Sequence, residues 1–96
     1  MELLISQRIK EKLLAKTPPV HEDEIAQCFA NRSGKFLIDL RAEHQTDPAT
    51  RWFIAETNAG RQLKVIFVPT EDGIRIKSAY DPEPAAVRLY YDKAFN

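Results

Sequence analysis

Between residues 51 and 79 the chain runs through three branched and aromatic segments, parted only by Asn58-Ala59-Gly60 and by Pro69-Thr70-Glu71-Asp72. Connections this short force each segment back along its predecessor, so an antiparallel meander is predicted. Its strands are placed at 51–57, 61–68 and 73–79. A further strand at 36–41 precedes them across the polar connection 42–50, which contains Asp47-Pro48.

The loops imply registers. With 58–60 as a loop, Thr57 lies opposite Arg61, Ala55 opposite Leu63 and Phe53 opposite Val65. With 69–72 as a turn, Phe67 faces Ile74 and Val65 faces Ile76. One sheet face is then continuously apolar and is expected to carry helices. On the other face the same registers put Trp52 beside Ile66, Ile66 beside Arg75, Ile54 beside Lys64, and Lys64 beside Lys77, with Glu56 one step away. Like charges directly across a ladder repel. Either both ammoniums reach water with Glu56 as counter-charge, or a phosphate or acidic partner binds there. Trp52, Ile54 and Ile66 also make this face more apolar than an open surface requires. Cover by a C-terminal helix or the long connection, a dimer contact, a partner protein and base stacking all remain open at this point.

Leu4, Ile5, Ile9, Leu13 and Leu14 recur at helical spacing, predicting an amphipathic helix over 3–15 that Thr17-Pro18-Pro19 ends. Glu22, Asp23 and Glu24 suit the first turn of a second helix, where carboxylates meet the positive end of the dipole. Ile25, Cys28 and Phe29 form its inner side, and residues 31–34 stop it. Asp81-Pro82 opens a short C-terminal helix with Pro82 or Pro84 in its first turn and Ala85, Ala86, Leu89 and Tyr90 on its packing side. The expected fold is α+β: two N-terminal helices, a four-stranded antiparallel meander and a short C-terminal helix, in one domain spanning 1–96.

Fourteen basic residues balance fourteen acidic ones, which excludes a strong net field for gathering nucleic acid and leaves only local patches. A single cysteine, Cys28, excludes an internal disulfide, and neither His21 nor His44 belongs to a zinc-ligand spacing, so no metal and no cofactor are expected. The apolar run at residues 3–5 is too short for a signal peptide and no stretch approaches a membrane span, so a cytoplasmic protein without a membrane partner is expected.

The segment Gly73-Ile74-Arg75-Ile76-Lys77-Ser78-Ala79-Tyr80, followed by Arg88 and Tyr90-Tyr91, resembles the end of the BrnT-type toxin family. The order of the early helical region, Phe29, the Arg51 strand, the Gly60-Arg61 hairpin and the apolar strand after it extends the likeness over residues 12–91. The chain carries Tyr80 where that family typically has arginine, and Val87-Arg88 where it has Glu-Arg. The resemblance implies a RelE-like fold, ribonuclease activity and neutralisation by a cognate antitoxin. The chain is also similar to small bacterial proteins labelled ADP-ribosyl-dinitrogen-reductase hydrolases. True enzymes of that name are larger and magnesium-dependent, and their clustered acidic site has no counterpart here.

A metal-independent endoribonuclease activates a ribose hydroxyl, stabilises the charged phosphate and protonates the leaving oxygen. Arg61, Lys64, Arg75 and Lys77 are the candidates for charge stabilisation. Arg51 and Arg88 join them as RNA-binding residues on the resemblance, and Trp52 is a candidate for base stacking. His44, which Glu43 can orient, and Glu56 are candidate bases, and Tyr80 is a candidate acid or stacking residue. The alternative function is a non-catalytic protein-interaction module of the same fold, with a homodimer or an antitoxin covering Trp52 and Ile66. Cys28 is expected to be an inert core thiol.

Overall fold

A computed structural model describes residues 2–41 and 48–96. The elements run β1 (Leu3–Leu4), α1 (Gln7–Leu14), α2 (Glu22–Asn31), β2 (Leu37–Ile38), β3 (Arg51–Glu56), β4 (Gln62–Thr70), β5 (Gly73–Tyr80) and α3 (Pro84–Lys93). The five strands form one mixed sheet in the order β1-β5-β4-β3-β2. The α+β class and the meander from β2 to β5 agree with expectation, but the sheet has one strand more and is not wholly antiparallel. β1 pairs parallel to β5, with Leu3 beside Ile74 and Leu4 beside Arg75.

The extra strand corrects the reading of 3–15 as one helix. Ser6 divides the segment: its backbone is extended and its hydroxyl accepts the Ile9 N–H at 3.2 Å, capping α1 one residue later. Leu3 and Leu4, freed from the helix, complete the sheet edge. Gly73 permits this, because a Cβ there would lie 2.5 Å from the carbonyl oxygen of Glu2, whose partner is the Ile74 N–H at 2.9 Å. The strand expected at 36–41 is likewise shorter, pairing only Leu37 with Trp52 and Ile38 with Arg51.

The β3–β4 hairpin has the expected register, with Ala55 opposite Leu63 and Phe53 opposite Val65. Its loop closes through the Gly60 N–H on the Thr57 carbonyl, 2.9 Å, and Gly60 holds φ +86°, a left-handed geometry that side-chain-bearing residues rarely adopt. The β4–β5 register differs from expectation. The strands continue to Thr70 and Gly73, leaving only Glu71 and Asp72 at the tip, and the Thr70 hydroxyl joins both backbone groups of Gly73. Pro69 is therefore in the ladder, opposite Ile74, and Phe67 faces Ile76 rather than Ile74. A bulge then shifts the pairing so that Ile66 faces Ser78, Val65 faces Ala79 and Lys64 faces Tyr80. The expected pairs Val65 with Ile76, Ile66 with Arg75, and Lys64 with Lys77 do not form. Lys77, passed over by the bulge, has no partner in the β4 ladder.

One core joins both sheet faces. On the helix side Phe29 of α2 meets Phe53 at 4.7 Å and Phe67 at 5.4 Å, and Phe36 meets the same two rings edge-on. Ile25 and Cys28 are fully buried beside Phe29, as their spacing predicts. α1 is tied to α2 by the Lys10–Glu22 ion pair, 2.9 Å. On the other side α3 begins with Pro84 at its first position and lays fully buried Tyr90 against Trp52, ring centroids 5.6 Å apart. Ala86 is half-buried, but Ala85 and Leu89 are exposed, so the packing side of α3 is narrower than expected. No helix of the described residues is long and apolar enough to cross a membrane.

Candidate functional site

Alternation along β4 sends neighbouring side chains to opposite faces, which separates two of the four expected phosphate ligands. Arg61 shares the parity of Leu63 and Val65 and lies on the helix side. There its guanidinium contacts Asp81 at 2.6 Å and Glu24 at 3.2 Å, and donates to the carbonyl oxygens of Pro19 and Pro18 at 2.8 and 3.1 Å. The hydrogen bond to Asp81, followed by the fields of Asp81 and Glu24, raises its pKa above the ordinary arginine value despite partial burial. With this set of acceptors Arg61 fastens the hairpin to the start of α2 and the chain before α3.

Lys64 stands on the opposite face. Its ammonium lies 4.5 Å from the Trp52 ring centroid and 5.8 Å from that of Tyr80, while Lys16 approaches Tyr80 at 5.3 Å. Neither lysine has a carboxylate within ion-pair distance among the described residues. Arg75 and Lys77 are exposed and line a separate groove with Leu3–Leu4 and Ile9 at the β1 edge. Arg75 faces Val68, four ladder positions from Lys64, which is roughly 13 Å along the strand. The four cations therefore occupy three places.

The remaining candidates are also dispersed. Glu56 is exposed at the end of β3, in a polar hollow with Asn31, Asn58 and Tyr91. Arg88 is exposed on α3. Arg51 has the parity of Phe53, and its Nε is buried without a hydrogen-bond partner among the described residues. Trp52 is buried beneath Tyr90 and Lys64, which leaves little ring face for a base. His44 and Glu43 lie outside the described residues. No cluster of three or more His, Cys, Asp or Glu able to hold a metal occurs among the described residues.

Sequence reasoning missed a groove of about 770 Å³ over Trp52 and Ile66. Its walls include Leu37, Ile38, Leu40 and Leu89, and its rim carries Lys64, Lys93 and the pair Asp39–Arg41. Three aliphatic wall residues are unusually open: Ile38 at 44%, Leu40 at 80% and Leu89 at 48%. Asp39 and Arg41 form a forked pair, Nε to Oδ1 at 3.1 Å and Nη2 to Oδ2 at 2.9 Å, which neutralises both. The surplus apolar content of the second face was the signal available beforehand. The contribution of β2 and α3 to its walls required the fold.

Cys28 is packed beneath β3, with its Sγ 3.5 Å from the Ala55 carbonyl oxygen. Burial, reinforced by Glu24 and opposed by Arg61, pushes its pKa up to about 11. The protonated thiol is thus favoured by the fold, and the associated stability is present below pH 9 and lost as pH rises toward about 11. At pH 8 an aromatic disulfide reagent is expected to react at least about 100-fold more slowly with folded protein than with unfolded chain, because the raised pKa suppresses thiolate formation and full burial further blocks access. Equal rates, followed by absorbance, would show an accessible thiolate.

Comparison with models of known protein families, with curated proteins and with solved structures finds no match.

Proposed function

We propose that the chain is a diverged relative of the RelE-like ribonuclease toxins that works as a protein-interaction module through the groove on its second sheet face. The order of two helices, antiparallel meander and C-terminal helix supports the fold relationship. The observation carrying the functional reading is the convergence of Ile38, Leu40 and Leu89, each more than two-fifths exposed, on one groove floored by Trp52 and Ile66. Apolar side chains gathered this way lose unfavourable water contact when a protein surface covers them. Catalysis has weaker support. Phosphoryl transfer needs an acid, a base and charge stabilisation around one phosphate, whereas the cationic candidates are spread over both faces and one edge.

One observation favours the second reading, metal-independent RNA cleavage: the ammoniums of Lys16 and Lys64 both approach the Tyr80 ring, 5.3 and 5.8 Å from its centroid. Two cations beside a potential proton donor can attract a phosphate. The discriminating experiment incubates folded protein with structured and single-stranded RNA, with and without chelator. Intact RNA is the expected result. Chelator-resistant cleavage that falls at least about 100-fold in Lys64→Ala and Tyr80→Phe would transfer the conclusion to the nuclease.

A further inference from the structure

We propose that the occupant of the groove is an acidic segment of a partner protein, one that presents apolar side chains to Leu40 and Leu89 and carboxylates to Lys64 and Lys93. The inference rests on the interaction-module reading and goes on to specify the chemistry of the partner.

Charge on the rim selects this occupant. Asp39 is paired with Arg41, so the two contribute no net charge. Lys64 and Lys93 have no carboxylate within ion-pair distance among the described residues, and Asp39 is the acid among the groove's described lining residues, so the described rim is net positive around an apolar floor. The whole chain has formal net charge zero, which makes the rim a local property rather than part of a general positive field. An apolar segment bearing lysines would bring like charges to Lys64 and Lys93. One bearing carboxylates gains attraction there and steers its approach. RNA supplies negative charge but has little to match the aliphatic walls, and buried Trp52 offers little face for stacking. A second copy of the groove would repeat the same two lysines against themselves if the contact were isologous.

Trp52 is the sole tryptophan and lies in the groove, so its fluorescence reports occupancy directly. The test titrates the full chain with two synthetic peptides of identical leucine spacing, one bearing glutamates between the leucines and the other lysines. The Leu/Glu peptide is expected to bind saturably and at least about 10-fold more tightly than the Leu/Lys peptide. Lys64→Glu with Lys93→Glu should reverse that preference. Leu40→Asp with Leu89→Asp should abolish binding of both peptides, and because both leucines are exposed the fold should persist by circular dichroism. Leu40→Asp alone, at an 80% exposed position, supplies a variant with still less risk to folding.

Equal binding of the two peptides, or a preference unchanged by charge reversal, overturns the acidic-partner proposal while leaving a protein-binding groove. Concentration-dependent self-association that quenches Trp52 without peptide replaces the partner with a second copy. Peptide binding insensitive to the leucine substitutions, or no binding by either peptide while a single-stranded RNA oligonucleotide changes Trp52 emission, overturns both the proposal and the interaction-module reading.

Discussion

Truncating Tyr90 to alanine lowers the stability of the domain by about 3–5 kcal/mol, the range for removing a large aromatic from a core. Tyr90 is fully buried, packs its ring on Trp52 and donates its hydroxyl hydrogen to the Lys35 carbonyl at 2.8 Å. Without it α3 loses its main anchor on the second sheet face, and Leu89 and Lys93 lose the position that makes them groove residues. For a domain of this length the loss lowers the melting temperature by roughly 15–30 °C. Tyr90→Phe keeps the ring and removes one hydrogen bond, so its cost is about 1–2 kcal/mol, including the carbonyl left unpaired. Urea denaturation of the two variants beside the parent checks both values. A cost below about 1 kcal/mol for Tyr90→Ala would show that α3 is held by something other than this side chain.

The second large effect is at Arg61. Arg61→Ala is expected to destabilise the protein by about 2–3 kcal/mol, because Asp81, Glu24 and two proline carbonyls lose their common donor. The value is set below that of a deeply buried pair because the Asp81 side chain is 53% exposed and water screens part of the attraction. Arg61→Lys should recover less than half of the loss, since one ammonium cannot reproduce the planar fork that spans these acceptors. Lys64→Ala, by contrast, is expected to cost about 0.5–1 kcal/mol, the worth of a partly exposed cation–π contact. Denaturation midpoints rank the three variants. An Arg61→Ala protein as stable as the parent would overturn the tethering role and return Arg61 to the set of functional candidates.

The contrast between Arg61 and Lys64 shows how far the candidate site was legible in the linear chain. Both residues stand out as basic positions in a strand, and the β3–β4 hairpin register correctly separates their faces. What each face offers them depends on residues distant in sequence: Glu24 and Asp81 for Arg61, Trp52 and Tyr80 for Lys64. The proposed Lys64–Lys77 pair failed for a different reason. A bulge adds one residue to β5, and such an insertion leaves no signature in an alternating pattern whose residues are acceptable on either face. The N-terminal segment failed because Leu3-Leu4-Ile5 is too short for helical and strand periods to be distinguished, and the Ser6 cap decides between them.

By itself the sequence determined the α+β class, the meander order, the β3–β4 register and the inner side of α2. All of these follow from local period, turn chemistry and capping, which act over a few neighbouring residues. Only the tertiary structure decided that β1 joins the sheet edge, that a bulge disperses the basic row, and that β2 and α3 wall a groove over Trp52. Those outcomes depend on which surfaces remain uncovered after the strands pair and the helices pack, a long-range competition for burial that no single segment encodes.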